Sequence, residues 1–197
     1  MSTPGSSTRS GSRSSNPEYV TARVRARRGA LFGDDEYSKL VRMGPAEIAR
    51  YMEESEYERE INELGTRHSG VDLIEYALNR NLARHFDALL DFAEGQLYDL
   101  IARYLRKFDA WNAKTVIRGV YTDTDNEAIE TDLIRAGEFD DTLVARLLES
   151  GTVEDVVTTL NDTIFGDVVD DAFEAFQESD TLVPLENAID RAFYEQL

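Results

Sequence analysis

The chain has 197 residues, of which 39 are acidic and 21 basic, giving a formal charge of −18 and a pI near 4.4. That charge sets the body against nucleic acid and anionic lipid, leaving only the arginine-rich N-terminal arm for an alternative reading as a free helical adaptor or nucleic-acid-associated protein, and the absence of cysteine excludes disulfides and thiolate chemistry. No window approaches the roughly 18 uncharged apolar residues of a spanning helix, and the N-terminal stretch lacks the apolar run of a signal peptide, so membrane attachment is expected only through protein partners.

The charge is uneven. Residues 1–33 hold six arginines and one acid, Glu18; the remaining residues hold 15 cations and 38 acids. Only Lys39, Lys107 and Lys114 are lysines. So acidic a body repels itself except where salt screens it, which fits a salt-loving host. Residues 1–17 are Ser, Thr, Gly, Pro and Arg without apolar periodicity and read as a disordered tail.

Beyond the tail the sequence reads as helix throughout, with no convincing alternating strand segment, so the expected class is all-α. Pro45 suits the first turn of a helix after Gly44. Ser69 and Asp72, Thr124 and Glu127, and Thr152 and Asp155 have the spacing of capping pairs. Gly65, Gly95, Gly137 and Gly151 fall where helices are expected to stop. The longest helical stretch, 71–108, carries Leu78, Leu82, Phe86, Leu89, Ala93, Leu97, Ile101, Tyr104 and Phe108 at three- and four-residue steps. Gly95 is expected to split it into two helices packed on each other. A second stripe, Leu143, Leu147, Val156 and Leu160, belongs to shorter helices.

The chain repeats itself. Gly44-Pro45-Ala46-Glu47 is echoed by Gly151-Thr152-Val153-Glu154, and Ile48, Met52 and Tyr57 are matched by Val156, Leu160 and Phe165. Further on, the segment 74–80 (Ile-Glu-Tyr-Ala-Leu-Asn-Arg) matches 185–191 (Leu-Glu-Asn-Ala-Ile-Asp-Arg), so that Leu197 corresponds to Phe86. The organisation expected is a tail over 1–17, a first helical unit over 18–120 and a second, incomplete unit over 121–197. Either the chain belongs to something longer, or a shortened second unit packs on the first.

Catalytic chemistry is hard to assemble from these residues. His68 and His85 lack metal-ligand spacing. Asp123, Asp125 and Glu127 suggest a calcium loop, but Ala128 stands at its glycine position and Ile134 at its closing glutamate. Gly29 and Gly33 lack the phosphate-loop spacing. The acid pairs Asp34-Asp35 and Asp170-Asp171 sit in polar surroundings and read as solvated faces. Of the N-terminal arginines, Arg27 and Arg28 read as charges on the exposed face of a first helix.

One cluster stands out on so acidic a chain: residues 109–118, Asp-Ala-Trp-Asn-Ala-Lys-Thr-Val-Ile-Arg. On a helix Asp109 and Asn112 are neighbours, as are Lys114 and Arg118. Trp111 is expected to point inward as a packing anchor. The cluster reads either as a helix-start cap with surface charges or as a buried polar network fixing one helix hairpin on the next.

This segment resembles the Asp-x-x-Asn-x-Lys-x-x-x-Arg signature of the family formed by the C subunits of archaeal and vacuolar-type rotary ATPases. Residues 19–31, with Ala22-Arg23-Val24-Arg25-Ala26, resemble that family's opening helix. Residues 185–194 resemble its Leu-Glu-x-Ala-Leu-Asp-x-x-Tyr-Tyr helix. Ala113 departs from the isoleucine common after the asparagine, and Ala192-Phe193 from the Tyr-rich end. The resemblance implies repeated helical-hairpin units around a pseudo-threefold axis, forming a funnel. It implies a non-catalytic central-stalk component of a proton-translocating ATP synthase, peripheral on the cytoplasmic face of the cell membrane, joining the stalk shaft to the proteolipid rotor ring. Its partners would be the central-stalk subunits and that ring, with no cofactor and no nucleic acid. It further implies that Arg23, Arg25, Asp109, Asn112, Lys114 and Arg118 serve a structural or interface network.

Overall fold

The computed structural model describes residues 14–197, and these are all-helical, with eleven helices. In chain order they are α1 (Pro17–Arg28), α2 (Asp34–Leu40), α3 (Pro45–Met52), α4 (Glu58–Leu64), α5 (Gly70–Phe92), α6 (Gly95–Tyr121), α7 (Asn126–Asp132), α8 (Asp141–Leu148), α9 (Val153–Leu160), α10 (Gly166–Ser179) and α11 (Val183–Glu195). None of the described helices is long and apolar enough to cross a membrane. The first 13 residues of the expected tail lie outside the described residues. Its last part is structured: Pro17 opens α1, and the Asn16 amide donates to Phe92 O at 2.8 Å and accepts from Glu94 N at 3.0 Å.

Local signals explain most boundaries. Pro45 is the first residue of α3, and Glu47 reaches back to accept the Gly44 N–H at 3.1 Å. Thr152 and Asp155 cap α9 reciprocally: Asp155 N donates to Thr152 Oγ1 at 3.1 Å, and Thr152 N to Asp155 Oδ2 at 3.0 Å. The other two expected pairs do not form. Asp125, not Thr124, caps α7, because the Thr124 hydroxyl is engaged with that of Thr122 at 2.8 Å. Ser69 precedes α5 without a side-chain bond to it.

Gly65 ends α4, but Gly95 begins a helix instead of ending one. Its φ of +59° lets the chain turn sharply between α5 and α6, a conformation glycine adopts without a Cβ penalty. Gly137 lies in the connector between α7 and α8, for a reason given below.

Three apolar clusters hold the helices together. One joins α3, α4 and α5 through Met52, Tyr57, Ile61, Leu64, Leu73 and Ala77. A second sits at the α5–α6 elbow, where Leu105 and Phe108 meet Ala83, with Phe86 and Phe108 ring centroids 5.5 Å apart. The largest joins the C-terminal half of α6 to α7–α11; Val116, Ile117, Leu147, Val156, Leu160, Phe165, Leu185 and Ile189 are all essentially sealed from water. Burying such side chains stabilises the fold by roughly 1.5–3 kcal/mol each. This core spans position 120, where the sequence suggests a boundary between units, with the end of α6 on one side and α7–α11 on the other.

The repeat is visible in local geometry. α3 and α9 have eight residues each, and α9 begins 108 positions after α3. Ser55 donates to Met52 O at 2.7 Å and accepts from Tyr57 N at 3.3 Å; 108 positions on, Thr163 donates to Leu160 O at 2.6 Å and accepts from Phe165 N at 3.2 Å. Tyr57 and Phe165 then stand buried at the entrances to α4 and α10. The copies diverge afterwards, because α4 stops at Gly65 after seven residues whereas α10 continues for fourteen.

Candidate functional site

The signature cluster lies on the buried half of α6 and works as a two-sided fastener. Asp109 and Asn112, each only 2% exposed, face the connector between α7 and α8. Asp109 Oδ2 accepts from Glu138 N at 2.8 Å and Oδ1 from Phe139 N at 3.0 Å. Asn112 grips one residue by both backbone groups: Nδ2 donates to Ile134 O, and Oδ1 accepts from Ile134 N, each at 2.9 Å. Two side chains three residues apart thus satisfy four backbone groups of a segment that has no helical bonds of its own. Gly137 belongs to this latch, since a side chain there would collide with the Asp109 carboxylate.

Lys114 and Arg118 face the other way, onto α11. Lys114 Nζ lies 2.5 Å from Asp190 Oδ1, and Arg118 Nε lies 2.5 Å from Glu186 Oε1. The register is antiparallel, with one helical turn between rungs on both helices. Arg106 extends the row, pairing with Glu138 and donating from Nη1 to Gln196 Oε1 at 2.9 Å. Tyr121 closes it by donating to Asp180 O at 3.2 Å. Two segments singled out in the sequence therefore hold each other, for Glu186 and Asp190 lie in the 185–194 helix.

Burial pushes the Asp109 carboxyl up to about 6; the two backbone N–H bonds pull against this, Glu138 adds to it and Arg106 opposes it. Such a value invites an acid–base reading. Geometry removes it, because both oxygens are committed to backbone donors and the group is closed to any substrate.

Arg23 and Arg25 do not join this network. The Arg23 guanidinium stacks 4.4 Å over the Phe92 ring, and Arg25 projects to solvent. Arg27, read from sequence as a charge on an exposed face, is half-buried, with Nη1 2.9 Å from His85 Nδ1 and its guanidinium 5.2 Å from the Phe92 centroid. Its place on the α5-facing side of α1 accounts for the difference. Trp111 is likewise corrected: it is 49% exposed, not inward. The buried positions Leu105, Phe108, Asn112 and Val116 fix the phase of α6, and Trp111 shares the opposite side with Tyr104 and Lys107.

A second network escaped the sequence reading. Glu60, 2% exposed, accepts from Arg84 Nε at 2.8 Å and from Asn81 Nδ2 at 3.2 Å, tying α4 to α5. Beside it, His85 Nε2 is buried without a hydrogen-bond partner, and its pKa is lowered first by burial, then by Arg27 and Arg84, against Glu56 and Glu60. The usable signal was the pairing of Glu56 and Glu60, one turn apart, with Asn81 and Arg84, three apart. Asp34-Asp35 and Asp170-Asp171 lie on exposed faces. Asp123, Asp125 and Glu127 form the turn into α7, and no group of three or more potential metal ligands is gathered among the described residues.

The sequence matches known proteins. A family model described as "ATP synthase (C/AC39) subunit" matches residues 20–197. A protein of Haloferax volcanii, named as the C subunit of an A-type ATP synthase, is 71% identical over 183 residues, 93% of this chain and 53% of that protein. Proteins of the same name from Halorubrum lacusprofundi and Methanosarcina acetivorans are 70% and 40% identical, again over 93% of this chain, and over 53% and 49% of their own lengths. The chain spans about half the length of the curated relatives it matches. With the family model covering all but the first 19 residues, this chain belongs to the ATP synthase (C/AC39) subunit family.

Proposed function

We propose that the chain forms part of the component that joins the central-stalk shaft of an A-type ATP synthase to its proteolipid ring, transmitting torque while a proton gradient drives ATP synthesis. It acts as a non-catalytic mechanical piece, peripheral on the cytoplasmic face of the membrane and attached through its protein partners. The observation that carries this reading is the double fastening of α6, which holds the α7–α8 connector on one side and α11 on the other. A torque-bearing part must resist shear between helices, and close-packed interiors tied by directional bonds deform little.

The pseudo-threefold funnel is part of the proposal. α6 covers the face of α11 that contains Glu186, Ile189 and Phe193; the matching face of α5, with Glu75, Leu78 and Leu82, is open, Leu78 and Leu82 being 41% and 37% exposed. A helix of a further unit would stand to α5 as α6 stands to α11.

Affinity purification of the tagged chain from a halophilic host, after gentle solubilisation in high salt, tests the reading. Recovery of stalk subunits and proteolipid supports it. Their absence, both with this chain and with any longer product of its gene, removes it.

A further inference from the structure

The face of α6 that turns Lys114 and Arg118 to α11 continues toward the start of the helix as a stripe that α11 does not cover. Leu100, Tyr104, Lys107 and Trp111 follow one another at steps of four, three and four residues, the spacing of a coiled-coil seam. Leu100 is 54% exposed, Tyr104 50% and Trp111 49%, and Trp111 is the only tryptophan in the sequence. Tryptophan, tyrosine and arginine are the residues on which interface binding energy concentrates.

The charge of this helix also runs against that of the body. Residues 95–121 hold five cations and two acids, and one of those acids, Asp109, is buried. Arg106, Lys114 and Arg118 all meet carboxylates. Arg103 and Lys107 meet none among the described residues, although acids outnumber cations by more than two to one beyond residue 33. Lys107 instead donates to Tyr104 Oη at 2.9 Å and lies 4.2 Å from that ring's centroid, which holds its ammonium on the stripe.

We infer that this stripe is the docking face for an acidic amphipathic helix of another subunit in the same assembly. Its carboxylates lie over Arg103 and Lys107, and its apolar positions lie over Leu100, Tyr104 and Trp111. The inference rests on the coupling reading given above. Complementary charge selects this occupant. A second copy of the chain would set cation against cation in a two-fold pairing. A nucleic acid or an anionic membrane would meet the acidic body on either side of a stripe only about 16 Å long. Hydrophobic and cation–π contacts survive the salt that screens surface charge, so the aromatic residues supply the grip and the cations the selection.

The test uses the chain assembled in its halophilic host. A photoreactive benzoylphenylalanine replaces Trp111 and, as a control, Val41, which is 82% exposed elsewhere. Irradiation is expected to join position 111, and not position 41, to a peptide of a different subunit whose acids recur at heptad spacing. Trp111→Ala and Lys107→Glu, each confirmed helical by circular dichroism, are expected to lower recovery of that subunit at least tenfold, whereas Trp111→Phe retains most of it. Cross-links confined to this chain, to a second copy or to a non-acidic segment overturn the inference, as does undiminished recovery with Trp111→Ala. If the wild-type chain recovers no other subunit, the coupling reading falls with it; if only the variants behave as wild type, the docking face alone is wrong.

Discussion

Gly137 faces Asp109 so closely that a Cβ added to it would lie 2.0 Å from Oδ1 and 2.6 Å from Oδ2. The latch on the α7–α8 connector therefore needs both a carboxylate on α6 and bare backbone at 137. Gly137→Ala is expected to cost about 1–3 kcal/mol by overpacking. Asp109→Ala, which leaves two buried N–H groups without acceptors, is expected to cost about 2–4 kcal/mol. The double variant should cost less than the sum of the two, because truncating Asp109 vacates the space that the alanine needs. Denaturant unfolding in concentrated KCl measures all three, and strict additivity would contradict the geometry.

The pH dependence of the same carboxyl has a definite sign. Its folded value, about 6, stands above the ordinary 3.8, so the folded protein holds the proton more tightly than the unfolded chain. Its contribution to stability is then fully present below about pH 4 and is lost as pH rises to about 6, by about 3 kcal/mol in all. Asp109→Asn removes this titration. The stability difference between wild type and Asp109→Asn should change across that window and be flat above it, and a difference independent of pH from 4 to 7 would refute the assignment.

The rungs between α6 and α11 should differ in strength. Lys114 is mostly buried, with 16% of its side chain exposed, whereas Arg118 is 48% exposed. A double-mutant cycle on Lys114 and Asp190 is expected to give a coupling of about 1 kcal/mol, and one on Arg118 and Glu186 about half that. Raising KCl from 0.5 to 3 M should erode the second more than the first. Equal couplings with equal salt dependence would mean that burial does not distinguish them.

Arg84→Ala should be among the most damaging changes in α3–α5. It strips the principal cation from Glu60, a carboxylate sealed between α4 and α5, at a cost of about 3–5 kcal/mol. Glu60→Gln with Arg84→Met, which removes both charges and keeps the volume, should restore much of the loss. Thermal unfolding of the wild type and the two variants checks this, and no rescue by the double variant would show that the loss does not come from an unpaired charge on Glu60.

Much of this fold could be read from sequence because helical signals are local. Pro45, the Thr152–Asp155 pair and the residues repeated from Tyr57 at Phe165 announce themselves within a turn or two. Asp109 and Asn112, and Lys114 and Arg118, were recognisable as pairs for the same reason. Their partners were not: Asp190 lies 76 positions from Lys114, and only packing of α11 on α6 brings them together. The bulk and apolarity of Trp111 argue for burial while its helical phase argues against it, and phase decides. Arg27 is the opposite case, since nothing local marks His85 and Phe92 as the surface that α1 covers.

α6 runs for 27 residues, about 40 Å, with its first half in the elbow cluster and its second in the largest core. A duplication ordinarily yields beads that can be cut apart at the joint and still fold. Here the joint is itself a wall of the second bead. Cleavage after residue 120 would strip the downstream segment of Ala113, Val116 and Ile117 and leave both pieces with raw apolar faces, so heat should melt the chain in one cooperative event instead of two.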